Sequence, residues 1–375
     1  MSTPLLFTPM RLRACELRNR IVVSPMCQYQ AVDGHVQDWH FLHHGRLVLG
    51  GPGAIFVEAT AVTRPGRITH GCTGIYQDSQ IAGLKRIADL HRQYGAVSGI
   101  QIAHAGRRAS ATRPWEGARP LAAGDPEEPW ATVGPSALPE KEGYPVPRAL
   151  AEPEIDDIVE SFAAAARRAL AAGFDIIEVH GAHGYLLHSF LSPISNHRTD
   201  RFGGSLENRM RLPLMVTTAV RKLWPEDRPL FYRVSAVDGV EGGLTIDDTI
   251  ALAKALKSIG VDAIDCSSGG ISGSVTLSSR RLKPGFQVPF AAAVKRAAAI
   301  PTVAVGAILD GPQAERVLVD GDADLIAIGR ELLADPNWPF HAAEVLGIEN
   351  PYAVLPKYYS FYLERRAVVL DRCGD

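Results

Sequence analysis

Two histidines and a tyrosine fall within six residues, His180-Gly-Ala-His183-Gly-Tyr185, directly after the apolar run Ile176–Val179. Imidazoles three residues apart on a helical turn face the same way. They could bind a metal, donate hydrogen bonds to an oxyanion, or simply pack. Tyr185 is a candidate acid. A metal reading needs further ligands at the ends of other strands, and none is evident after the first, second or eighth. Arg233 lies inside Phe231–Ser235, a segment with no carboxylate of its own. A buried arginine needs an anionic partner, and a bound cofactor with negative character would supply one. Cys27 follows Ser24, Pro25 and Met26 and reads either as an inert buried thiol or as part of a site. Gly306, Gly329 and Arg330 close two further apolar runs. Glycines there let backbone N–H groups reach a phosphate, with Arg330 to pair with it, or they only ease tight turns.

These residues must be positioned by eight short apolar runs: Ile21–Ser24, Ala54–Glu58, Ser98–Ile102, Ile176–Val179, Leu230–Val234, Ala263–Cys266, Thr302–Val305 and Leu325–Ile328. Near-continuous apolar stretches of this length suit parallel strands buried on both faces. Helical periodicity falls between them at Ile81–Tyr94, Ile155–Ala172, Leu206–Trp224, Ile246–Ile259, Phe290–Ala298, Pro312–Val319 and about Phe340–Leu346. Ser205 is an expected N-cap, and Thr245 with Asp248 forms a capping-box pattern. Gly173, Gly260 and Gly321 are expected to end helices in the left-handed conformation. Strict alternation predicts a (β/α)8 TIM barrel, one domain over 1–375. An open dinucleotide fold would want G-x-G-x-x-G after the first strand, and Ser24-Pro-Met-Cys27 is nothing like it. Residues 105–150 hold eight prolines and break the rhythm. They read as a capping insertion over the barrel mouth, after strand three. In such barrels the active site lies at the C-terminal ends of the strands, the end to which the candidate site residues belong.

Composition narrows the function. Lys and Arg number 39 against 41 Asp and Glu, so the basic field that nucleic acid or an anionic membrane requires is missing. Five cysteines, an odd number with no C-x-x-C pair, argue against a disulfide framework or a thiolate metal site. The first ten residues lack a basic n-region, and no apolar run is long enough to span a membrane. The expectation is a cytoplasmic protein acting on small molecules.

Seven motifs occur in order: Asn19-Arg-Ile21; Ser24-Pro-Met-Cys27-Gln-Tyr29; Glu58-Ala-Thr60; Gln101-Ile-Ala-His-Ala-Gly106; the His180–Tyr185 segment; Arg198-Thr-Asp200 with Gly203–Arg209; and Gly329-Arg330. Together they resemble the Old Yellow Enzyme family of FMN-dependent oxidoreductases, from Leu6 to about Phe340. Cys27 and Tyr29 resemble the thermophilic-like and xenobiotic reductase subgroup. The resemblance implies FMN in the barrel mouth, NADPH or NADH as electron donor, and reduction of activated C=C bonds or nitro compounds. It implies that Ser24, Pro25, Met26, Cys27, Ala59, Gln101 and Arg233 contact the flavin, Gln101 through the pyrimidine edge. Gly306, Gly329 and Arg330 would hold the phosphate. His180 and His183 would bind the substrate oxygen, Tyr185 would deliver a proton, and Tyr29 would flank the substrate. The Gly203–Arg209 motif would be structural. It also implies a homodimer or higher oligomer, with Tyr362, Arg365 or Arg366 of the tail (351–375) entering a neighbouring site; that tail reads equally as a surface helix. The competing reading is a cofactor-free isomerase or hydrolase barrel for a phosphorylated substrate. It explains the histidines and leaves Gln101 and Arg233 without a role. A non-catalytic scaffold is a third.

Overall fold

The computed structural model describes residues 3–272 and 282–373. Eight strands form the centre: β1 Ile21–Val23, β2 Ala54–Ala61, β3 Val97–Ala103, β4 Ile176–Gly181, β5 Leu230–Ser235, β6 Ala263–Ser267, β7 Thr302–Ala304 and β8 Leu325–Ile328. They close into one barrel in the ring order β6-β7-β8-β1-β2-β3-β4-β5. Neighbours in the ring pair in parallel throughout. This is the expected (β/α)8 barrel.

The floor is apolar. Val22, Phe56, Ile176, Phe231, Val303 and Leu325 form one buried cluster inside the ring. Phe56 and Phe231 meet with centroids 5.8 Å apart. Gly99 makes room for this layer, because a Cβ there would lie 2.6 Å from the Phe56 ring. Below, a hairpin pairs Met10–Leu12 with Cys15–Leu17. Its Leu12 and Leu17 plug the N-terminal end of the barrel. Above the floor the interior turns polar, and Gln101, Glu178, Arg233 and Asp265 are all buried there.

Helices α1 Asp38–Val48, α2 Ile81–Gln93, α3 Glu152–Ala171, α4 Leu186–Leu191, α5 Leu206–Leu223, α6 Ile246–Ser258, α7 Val288–Ala298, α8 Gly311–Val319, α9 Arg330–Ala334, α10 Trp338–Val345 and α11 Lys357–Cys373 follow in chain order. The expected caps are present. Ser205 Oγ accepts from Asn208 N at 3.3 Å. Thr245 Oγ1 accepts from Asp248 N at 3.3 Å, while Asp248 Oδ2 accepts from Thr245 N at 2.9 Å. Gly173, Gly260 and Gly321 take φ of +84°, +93° and +73°.

Helix α1 was not legible as a helix. Its inward positions include the buried His40 and His44 rather than an apolar stripe. Polar contacts dock it: His44 Nδ1 lies 3.0 Å from His91 Nε2, and His91 Nδ1 lies 2.9 Å from Ser98 Oγ. A hydrogen-bonded chain across α1, α2 and β3 thus does what apolar periodicity does elsewhere.

Residues 105–150, after β3, contain short 3-10 turns and one two-residue ladder, Val133–Gly134 with Arg148–Ala149. The segment is tied to the barrel by Arg108, whose Nη1 donates to His183 O at 2.9 Å and Gly270 O at 2.7 Å. Helix α11 has no buried residue, and Arg365 stacks on Phe361 of the same helix. No helix of the described residues is long and apolar enough to cross a membrane.

Candidate active site

The strand ends bring the candidate residues to one mouth in two adjoining cavities. The larger, about 770 Å³, is lined by Ser24, Pro25, Met26, Arg233, Gly306, Gly329 and Arg330 among others. The smaller, about 370 Å³, is lined by Cys27, Tyr29, His183 and Tyr185 from the barrel and by Arg107, Arg108 and Glu140 from the 105–150 segment. Ala59, Gln101 and His180 line neither cavity and lie buried at the strand ends.

Arg233 points into the mouth, and parallel register decides its neighbours. His180 of β4 stands beside it on one side and Asp265 of β6 on the other. Its anionic partner is therefore within the protein. Asp265 Oδ2 lies 3.2 Å from Arg233 Nε. The expectation that a bound cofactor would supply the partner of Arg233 is corrected here: a carboxylate comes from an adjacent strand, while its own segment has none. The pair is close but poorly aligned, and among the described residues Arg233 Nε, Asp265 Oδ1 and Ser24 Oγ have no hydrogen-bond partner.

Glu178 adds a second buried carboxylate, accepting from Gln101 Nε2 at 2.8 Å. Burial, then the nearby Asp265, push Glu178 up to about 8, against the pull of Arg233. Burial also raises Asp265, again opposed by Arg233.

His180, His183 and Tyr185 form one aromatic cluster. The His180 ring is 5.1 Å from His183 and 4.9 Å from Tyr185, centroid to centroid, and nearly perpendicular to both. Burial and then Arg233 hold both imidazoles well below their usual range, so both are neutral. Ala182 N donates to His180 Nδ1 at 3.2 Å, which leaves the His180 proton on Nε2. His183 Nε2 lies 2.7 Å from Ser267 Oγ. Burial raises the Tyr185 phenol, and Cys27 adds to the rise. The phenol keeps its proton at physiological pH.

Cys27 is partly exposed. Burial of its sulfur, then Glu58 and Cys72, raise its thiol well above the usual range. An unactivated thiol is no resting nucleophile. Tyr29, at φ +55°, packs edge-on against Trp115 of the cap with centroids 5.9 Å apart. Between Val57 and Thr60 the β2–β3 register shifts, a bulge around Glu58 and Ala59 at the rim.

On the other wall, Gly306 has φ +110°, and a Cβ there would lie 2.5 Å from Gln287 Nε2. Gln287 bridges two strand ends, accepting from Ser268 Oγ at 2.6 Å and donating to Val305 O at 3.1 Å. Gly329 precedes α9, and Arg330 is exposed beside the large cavity. The Gly203–Arg209 segment touches neither cavity. Arg209 donates to Leu191 O at 2.8 Å, and Asn208 Nδ2 donates to Gly203 O at 3.0 Å, a structural use.

Several residues of this site escaped the sequence reading: Glu178, Asp265, Gln287, His188 and Asp238. Glu178 and Asp265 had left a signal, each being a lone acid inside an apolar strand. The others lie in segments where a polar residue is unremarkable.

An open cavity rimmed by glycine backbone and an exposed arginine, joined to buried polar atoms with spare hydrogen-bonding capacity among the described residues, fits an anionic cofactor. The chain is 45% identical over 346 residues to an NADPH dehydrogenase of Geobacillus thermodenitrificans, covering 92% of this chain and 95% of the relative. It is 43% identical over 351 residues to an NADPH dehydrogenase of Bacillus subtilis, covering 93% and 97%. Among solved structures, morphinone reductase superposes with a TM-score of 0.76 at 28% identity, covering 92% of this chain and 90% of that one. Morphinone reductase has also been solved in complex with tetrahydroNAD. Residues 5–349 match the family described as NADH:flavin oxidoreductase / NADH oxidase. The chain therefore belongs to the NADH:flavin oxidoreductase / NADH oxidase family, an enzyme family whose cofactor is FMN and whose electron donor is a nicotinamide nucleotide.

Proposed function

We propose that the protein reduces the C=C bond of α,β-unsaturated carbonyl compounds, and nitro compounds as a second class, with Tyr185 as the proton donor. The observation that carries this reading is the cluster of two neutral imidazoles and a protonated phenol beside the smaller cavity. Bound FMN supplies the hydride, taken from NADPH or NADH. Ser24, Pro25, Met26, Cys27, Ala59 and Gln101 would line its ring, and Gly306, Gly329 and Arg330 would hold its phosphate. The spare Nε of Arg233 would stabilise negative charge on the ring electrostatically.

His180 donates from Nε2 to the substrate oxygen. For His183 to donate from Nδ1, Ser267 must act as donor to its Nε2. Each such donor typically contributes ~3 kcal/mol of transition-state stabilisation. Neutral imidazoles suit this, because they polarise the carbonyl without giving up a proton. That proton comes from Tyr185 and goes to Cα as the hydride reaches Cβ. General-acid help of this kind is worth ~10²–10⁴ in rate. Tyr29, held by Trp115, would flank the substrate. Arg107, Arg108 and Glu140 of the 105–150 segment line one side of the smaller cavity. We place the enzyme in the cytoplasm, as a homodimer or higher oligomer in which Tyr362, Arg365 or Arg366 reaches a neighbouring mouth.

The test separates the half-reactions by rapid mixing. Tyr185→Phe should leave flavin reduction by NADPH within about twofold of normal and slow cyclohexenone reduction ~10²-fold or more. Equal loss in both, or no loss in the second, would refute the role given to Tyr185. A protein that purifies colourless and cannot be reconstituted with FMN would overturn the whole reading.

A further inference from the structure

Behind the His183–Tyr185 turn lies a second histidine that the mechanism does not use. His188 sits on α4 and Asp238 on the loop after β5, and neither side chain is exposed at all. His188 Nε2 lies 2.8 Å from Asp238 Oδ1. On its other edge, His188 Nδ1 accepts from the Gly184 N–H at 2.8 Å. This second contact fixes the tautomer: Nδ1 is bare, so Nε2 carries the proton and donates it to Asp238. Asp238 Oδ2 accepts from Ser192 Oγ at 2.6 Å and from Leu244 N at 2.7 Å.

Gly184 is the residue between His183 and Tyr185. Its carbonyl is held too, by Ser189 Oγ at 2.8 Å. Both backbone polar groups of one glycine are therefore bound by side chains of α4, one of them backed by a carboxylate. The turn needs holding. His183 and Gly184 are both left-handed, with φ of +60° and +74°, and a Cβ on Gly184 would lie 2.2 Å from Gly270 O. A buried histidine–carboxylate pair is costly to desolvate, and apolar residues would fill the same space more cheaply. The pair's reach to a single backbone N–H in the turn gives it a purpose.

We propose that His188 and Asp238 are positioning residues for proton delivery, setting the place of the Tyr185 phenol by locking the Gly184 peptide from behind. The inference rests on the reading of Tyr185 as proton donor. Small displacements of a reacting group are enough to matter: about 1 Å can cost ~10²-fold. His188→Gln keeps a donor near Asp238 and loses the acceptor for Gly184 N. His188→Asn keeps an acceptor at the position of Nδ1 and loses the Asp238 contact.

The experiment measures both half-reactions of the FMN-loaded enzyme for His188→Gln, His188→Asn, Tyr185→Phe and the His188→Gln/Tyr185→Phe double variant. His188→Gln should slow cyclohexenone reduction ~10- to 100-fold while flavin reduction by NADPH stays within about twofold. His188→Asn should recover part of that loss. The double variant should be no slower than Tyr185→Phe alone, because a misplaced donor matters only while the donor is there. Unchanged kinetics in His188→Gln, equal losses in both half-reactions, or losses that multiply in the double variant would each overturn the proposal. Undiminished alkene reduction by Tyr185→Phe alone would refute the proton-donor reading separately. If His188→Gln fails to fold, Ser189→Ala releases the Gly184 carbonyl and should show the same half-reaction split at smaller size.

Discussion

The two walls of the barrel mouth are built on different principles. The wall made by the ends of β7, β8 and β1 uses absence: Gly306 and Gly329 expose backbone, and the cavity beside them is open. The wall made by β4, β5 and β6 uses presence. Its histidines and tyrosine are packed against each other; Ser267 holds the His183 ring, Ser235 the His183 backbone, and the His188–Asp238 pair the Gly184 N–H between them. A wall that only binds can rely on backbone and space. A wall that must donate from named atoms has to fix tautomers and rotamers, and that takes a network. Arg233 stands between the two and belongs to both.

The sharpest way to break the comparison is therefore at Arg233. Arg233→Leu leaves Asp265 buried without its counter-ion, and breaking such a pair costs ~3–5 kcal/mol. Thermal unfolding should fall accordingly, and FMN titration should show weakened binding. Unchanged melting and FMN affinity would mean that the pair with Asp265 carries no weight.

Acid should strike the histidine-rich side. Burial lowers His91 to about 3 and His104 to about 4 from 6.5. Below pH 6.5 the unfolded chain takes up these protons and the folded one does not, so stability falls as pH drops from 6.5 toward 4. From pH 6.5 to 5 the loss is roughly 2 kcal/mol per histidine. Glu178 acts in the opposite direction. Raised to about 8 from 4.5, it holds its proton in the fold, so stability falls as pH rises from 4.5 through 8. Urea unfolding at pH 5, 7 and 9 should show the alkaline fall, and because the Glu178 contribution spans the whole window from 4.5 to 8, Glu178→Gln should flatten the alkaline limb and steepen the acid one. A flat acid side in Glu178→Gln, where the opposing contribution is gone, would argue against neutral buried histidines.

Gly306→Val tests the open wall by itself. A side chain at φ +110° costs about 1–2 kcal/mol of strain, before any clash with Gln287 is counted. FMN affinity should drop about tenfold or more, with the Tyr185 half-reaction unaltered once FMN is saturating. Loss of proton transfer in this variant would show that the walls are coupled. The smallest effect is expected away from both: Ser205→Ala removes the cap of α5 and should cost ~1 kcal/mol in unfolding, with activity unchanged.

Much of this was legible in one dimension. The eight strands were found because buried parallel strands must be apolar on both faces, and α6 because Thr245 and Asp248 declare their capping box. Helix α1 was not, because His40 and His44 take inward positions that only His91 and Ser98, distant in sequence, make tolerable. Arg233 was recognised as a buried cation, but its partner was not. Asp265 is 32 residues further on and becomes a neighbour only through the parallel register of β5 and β6.

The chain's own residues thus determined the barrel, the end of it that carries chemistry, and the types of group assembled there, since these follow from local periodicity and from which residues end each strand. Only the tertiary structure decided protonation, tautomer and partner. Those depend on burial and on atoms brought within hydrogen-bonding distance by register and by helix docking, and neither is written at any single position in the chain.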